Sequence, residues 1–149
     1  MKKLLVFCVV AGVILGCSKD KFKTEPQVEI KSIEPDVVQK GQFFTLRAIV
    51  RDKEGDIQDS VLLVTKRYAG DILLGIPDTL RYSIKEFNSP NRTEVEVSAV
   101  FSYGELRDGF IFQNLENSDR DFAVGIIVTD NAGHRSPYVE SEKILLKKF

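Results

Sequence analysis

Five side chains in this sequence carry oxygens of the kind that hold a hard cation. Asp52, Glu54 and Asp56 alternate along one short stretch, and Asp130 and Asn131 stand together in another. Carboxylate and amide oxygens are the ligands that Ca²⁺ prefers, and it usually gathers about six to eight of them. The first stretch is not an EF-hand loop, because Gly55 sits fourth counting from Asp52 rather than sixth. Turns also call for Asp, Asn and Gly, whose short side chains bond to the local backbone or free it. The same residues therefore suit two solvent-facing turns. His134 is the sole histidine, with Asp130 four positions before it and Ser136 two after it, which invites a hydrolytic reading. A catalytic serine needs rigid presentation, a base in reach and a donor site for the oxyanion. No Gly-x-Ser-x-Gly elbow occurs. His134 is read as a solvated loop residue, no catalytic residue is assigned, and the protein is expected not to be an enzyme. The remaining reactive groups are two thiols, Cys8 and Cys17.

Cys17 stands in a distinctive context. Met1-Lys2-Lys3 leads into an apolar run from Leu4 to Leu15, which closes on Gly16 and Cys17. A positive start, a short apolar run and a small residue at its end have the order of an export signal. The run falls short of the roughly 18 residues that a spanning helix needs. The quartet Ile14-Leu15-Gly16-Cys17 resembles the lipobox of bacterial lipoprotein precursors. That resemblance covers residues 1 to 17. It implies cleavage between Gly16 and Cys17, conversion of the Cys17 thiol to a diacylglyceryl thioether and acylation of the new amino terminus. Cysteine suits the position because its thiolate is a strong nucleophile. In Gram-negative lipoproteins an Asp directly after the acylated cysteine marks retention at the inner membrane. Ser18 stands there in this chain, so the outer membrane is the expected address.

Removal of residues 1 to 16 from 149 leaves 133, enough for one domain with a real core. Loss of Lys2 and Lys3 takes the 21 basic side chains to 19, against 22 acidic ones. This mild acidity argues against nucleic acid as a partner, since such binders present a basic face. Cys8 leaves with the leader and acylation consumes Cys17, so the body is expected to hold no disulfide. Residues 17–26 are polar and mixed in charge, and read as a tether between lipid and domain.

From Gln27 to Phe149 the pattern has a period of two, the mark of half-buried strands. Strands are expected near Val28 to Ile33, with an edge piece at Val37 and Val38, and at Phe43 to Arg51, where Phe44, Leu46, Ala48 and Val50 share a face. Thr93 to Tyr103 alternates most clearly, with Val95, Val97, Ala99 and Phe101 on one side. Ser60 to Arg67, with its run Val61-Leu62-Leu63-Val64, suits a strand buried on both sides. Thr79 to Phe87, Phe122 to Asp130 and Pro137 to Lys147 complete the set. The segment from Tyr103 to Asp121 is long and apolar for a connection, with Leu106, Phe110, Ile111, Phe112 and Leu115. It reads as an extra piece on the core or as an exposed docking patch. Tyr68 to Pro77, with Ile72, Leu73, Leu74 and Ile76, is expected at the same end.

About seven strands with turns between them predict an all-β, antiparallel sandwich. Glu34-Pro35 with Lys40-Gly41, the stretch Val50 to Asp56, and the stretch Val128 to His134 before the last strand resemble an immunoglobulin-like or fibronectin type III-like domain of bacterial surface proteins. The antibody-type cysteine pair and tryptophan are missing, so the resemblance implies architecture and no functional residues. In such a sandwich the Asp52 turn and the Asp130 turn project from the same end. The expected function is that of a membrane-anchored envelope lipoprotein acting as a non-enzymatic binding or structural module, with the bilayer and an envelope protein as partners. The alternative is a glycan- or ligand-binding lipoprotein of a nutrient uptake system. No cofactor is expected beyond Ca²⁺ at the acidic turns.

Overall fold

Where apolar and polar side chains alternate, the chain pairs into strands that bury one face. The structure, a computed structural model, describes residues 24–57, 60–83, 92–104, 110–112 and 117–148. The leader with Gly16 and Cys17, and most of the connection from residue 105 to 116, lie outside the described residues. Ten strands follow in order: β1 (Gln27–Glu34), β2 (Val37–Val38), β3 (Phe43–Arg51), β4 (Ser60–Ala69), β5 (Ile72–Ser83), β6 (Glu94–Tyr103), β7 (Phe110–Phe112), β8 (Arg120–Thr129), β9 (Val139–Glu140) and β10 (Ile144–Leu146). They form two sheets, β1-β3-β6-β7 and β2-β10-β8-β4-β5, with β9 also paired to β8. The architecture is an immunoglobulin-like β-sandwich. No helix among the described residues is long and apolar enough to cross a membrane, which says nothing of membrane barrels.

The core lies between the sheets. Phe44, Leu46, Ala48 and Val50 of β3 are buried, and Val95, Ala99 and Phe101 of β6 are buried opposite them. Because Phe44 is in register with Phe101, their rings stack at 4.9 Å. Phe122 of β8 meets Phe44 edge-on at 5.5 Å and so joins the second sheet to the first. Each such fully buried side chain contributes roughly 1.5–3 kcal/mol. Tyr103 is fully buried, and its hydroxyl donates to the Lys147 carbonyl at 3.0 Å.

Most of the named strands pair antiparallel; among the described residues two strand pairings are parallel. After Pro35 the chain leaves the first sheet, and β2 runs parallel to β10, with Leu145 N–H donating to the Asp36 carbonyl at 2.7 Å. β7 lies parallel to β6.

Three strands differ from the sequence-based expectation. The strand expected from Thr79 begins at Ile72 instead, because β5 absorbs Gly75 and Pro77 in an irregularity opposite Lys66 and still pairs with β4 on either side. The last strand is split into β9 and β10. Between them Ser141 replaces the ladder: its N–H donates to the Val124 carbonyl, and its hydroxyl accepts from Val124 N–H, both at 3.0 Å. Along β4, Val61 and Leu63 are buried while Leu62 and Val64 are only half-buried, so the run has one core face rather than two.

Candidate functional site

Register places the acidic turns. Gln27 lies opposite Arg51, and Arg51 opposite Glu94, so the start of β1, the end of β3 and the start of β6 share one end of the first sheet. Ser60 opposite Thr129 does the same for β4 and β8 in the second. The two sheets are tied there by Asn131 N–H, which donates to the Asp56 carbonyl at 3.1 Å.

At this end one carboxylate oxygen from each of Asp52, Asp56 and Asp130 lies within 4.8 Å of the others. Asp52 sits just past β3, its N–H bonded to the Thr93 carbonyl at 2.9 Å. Gly55, at a φ of 74°, lets the backbone reverse so that Asp56 N–H reaches Asp52 Oδ2 at 3.2 Å. Asp130 begins the tight turn after β8. Its Oδ1 accepts from His134 N–H at 2.7 Å, and its Oδ2 meets His134 Nδ1 at 2.9 Å. Asp52 is 3 % exposed and Asp130 1 %. His134, through its ring, pairs with Asp130. Burial, then the neighbouring Asp52 carboxyl and the charges of Asp130 and Asp52, push Asp56 above the usual carboxylate value. Such a set of oxygens can hold either a shared proton or a divalent cation.

The other sequence candidates fall around this trio. Glu54 is exposed and lies outside it. Asn131 has an exposed side chain and joins through its backbone. His134 is raised above the ordinary histidine value, first by its bond to Asp130 and further by the charges of Asp130, Glu54 and Asp56. Ser136 is not presented to it. The Ser136 hydroxyl donates to the Pro137 carbonyl at 3.0 Å and accepts from Val128 N–H at 2.9 Å, standing in for ladder bonds along β8.

A second polar cluster escaped the sequence reading. On the outer side of the second sheet, Glu140 accepts from Lys66 at 2.5 Å, from the Tyr68 hydroxyl at 2.6 Å and from the Tyr138 hydroxyl. Lys66 also lies over the Tyr138 ring, 4.6 Å from its centroid. Burial first, and then the bond to Glu140, push Tyr138 up to about 12. The pairs Lys66/Tyr68 and Tyr138/Glu140, each spaced by two, were the available signal. Nearby, Glu29, Lys31, Glu34, Asp36, Glu142 and Lys143 help line a cleft of about 520 Å³ between β1 and the final strands.

The far end carries the β4–β5 hairpin, whose turn at Gly70 and Asp71 lies opposite in the fold to the acidic end. Ile72 there is 70 % exposed and Ile76 87 %.

No protein-family model matches the chain, and no curated protein is significantly similar to it. Among solved structures it is similar to the sporulation control protein Spo0M from Bacillus subtilis, at 14 % identity over 84 % of this chain and 50 % of that one, with a TM-score of 0.48. The chain thus spans about half of that protein's length. It is also similar to a Niemann-Pick type C2 protein from Japanese carpenter ant, at 11 % identity over 83 % and 89 % of the two chains, TM-score 0.43. A third is a CARDB domain from Pyrococcus furiosus in complex with di-metal ions, at 12 % identity over 84 % and 88 %, TM-score 0.30. These likenesses concern the β-sandwich alone.

Proposed function

We propose that this chain is a lipid-tethered, non-enzymatic module of a bacterial cell envelope. Acylated Cys17 holds the sandwich at the outer membrane, and the β4–β5 hairpin is offered to an envelope protein. The address rests on the leader, from Lys2 and Lys3 through the apolar run to Gly16 and Cys17. The binding role rests on one observation: Ile72 and Ile76 are exposed on a hairpin at the end of the sandwich away from β1's start, where the tether arrives. Clustered exposed apolar side chains at a projecting tip mark contact sites. His134 and Ser136 are both engaged in holding their own turn, which favours a non-enzymatic role. Affinity capture from envelope membranes tests the reading. The acylated protein should retain a partner protein that an Ile72→Ser/Ile76→Ser double variant loses at least about tenfold. Equal capture by both would contradict it.

The cleft beside β1 favours a second reading, a ligand carrier, since its volume falls in the range of small-molecule sites. Tight binding of one glycan on an array, with no protein partner recovered, would put that reading first.

A further inference from the structure

We infer that Asp52, Asp56 and Asp130 form a calcium site that clamps the two turns at the tether-proximal end of the sandwich. Two independent features point to a ligand. The first is spacing: oxygens that all lie within 4.8 Å of one another fit around one ion. Ca²⁺ accepts carboxylate oxygens in a flexible geometry, whereas Mg²⁺ demands a near-ideal octahedron and gives up its water reluctantly. The second is an orphaned atom. Asp52 is 3 % exposed, and its Oδ1 is buried with no hydrogen-bond partner among the described residues. Asp56, only half-buried as a residue, also has a buried Oδ1 without a hydrogen-bond partner among the described residues. A buried carboxylate oxygen left without a donor or a cation is costly, and more so beside two further carboxylates. The groups already bonded to the trio are donors that orient it: Asp56 N–H on Asp52, and His134 N–H and ring on Asp130. Asn131 N–H on the Asp56 carbonyl pins the turns in register, so the three carboxylates face one another before any ion arrives. A divalent cation would replace their mutual repulsion by a bond between the two sheets.

Thermal melting at neutral pH decides the matter. Calcium at a hundred times its Kd should raise the midpoint of the full-length protein by roughly 10 °C over EGTA, with a smaller response to magnesium. Asp52→Asn and Asp56→Asn should each remove the calcium response. In EGTA Asp56→Asn should melt at or above the wild type, because it relieves crowding. Should a variant fail to fold, calorimetric titration of the wild type with calcium, expected to saturate at one ion, carries the test by itself. A midpoint indifferent to calcium and EGTA, with no heat of binding, would overturn the site in favour of a shared proton. An undiminished calcium response in folded Asp52→Asn and Asp56→Asn would move the ion elsewhere and equally overturn it. An equal response to magnesium would overturn the choice of calcium.

Discussion

The ring of Tyr138 lies directly against Gly125. A Cβ placed on Gly125 would fall 2.1 Å from Tyr138 Cε2 and 2.3 Å from its hydroxyl oxygen. Gly125 is in register with Glu140 on one side and Val64 on the other, in the middle of the second sheet. The missing side chain is what lets the tyrosine cover the sheet and reach Glu140.

Gly125→Ala should therefore push the ring away from Glu140 and Lys66, at a cost of about 1–3 kcal/mol in urea unfolding. Tyr138→Ala should cost less in that background than in the wild type, since the two residues share one contact. Strict additivity in the double-mutant cycle would contradict the packing described.

Glu140 gathers Lys66, Tyr68 and Tyr138. Burial alone would raise its carboxyl, but the hydrogen bonds from Lys66, Tyr138 and Tyr68 outweigh it and hold the group below its ordinary value. A depressed folded-state value means stability present above the unfolded value of 4.5 and lost as pH falls through the folded one. Glu140→Gln should lower stability at neutral pH by about 1–3 kcal/mol. The stability curves of the two proteins should converge in acid, which denaturant titrations across pH would register.

Ser136 and Ser141 each accept from a buried β8 amide, Val128 and Val124 respectively. Replacing either by alanine leaves that N–H without its acceptor, a loss of about 1–3 kcal/mol. Amide exchange at Val128 should quicken in Ser136→Ala and at Val124 in Ser141→Ala, and each variant should spare the other site.

Phe44 touches both Phe101 and Phe122 and so spans the two sheets. Phe44→Ala should cost about 3–5 kcal/mol. Val100→Ala, on the 38 % exposed face of β6, should change stability by no more than about 0.5 kcal/mol. Similar losses from the two would place the core elsewhere.

Strand β3 was legible to the residue and β6 to within one, because each buries one face, and a one-residue slip would turn the whole apolar set to water. β5 was hidden at its start because Gly75 and Pro77 are unfavourable inside a strand, whereas an edge strand tolerates them in an irregularity. The split of the last strand was hidden because only the fold reveals that a serine hydroxyl can replace ladder bonds. The meeting of Asp52 and Asp56 with Asp130 followed from sandwich connectivity, which sends their turns to one end. The exclusion of Glu54 did not, since it depends on the turn around Gly55. The Glu140 cluster sits on a solvent-side face, where no apolar period announces which side chains will meet.

Fractionation of cells carrying Cys17→Ser tests most directly the proposed anchoring of a folded sandwich at a membrane through one cysteine. Two or more acyl chains give stable attachment where one gives marginal binding. Wild-type protein should pellet with envelope membranes through a high-salt wash and be released by detergent. Cys17→Ser should be recovered in the soluble fraction with an unchanged thermal midpoint, since the buried core is built from residues between Ile33 and Leu146. A Cys17→Ser protein that remains fully membrane-bound would rule out attachment through Cys17.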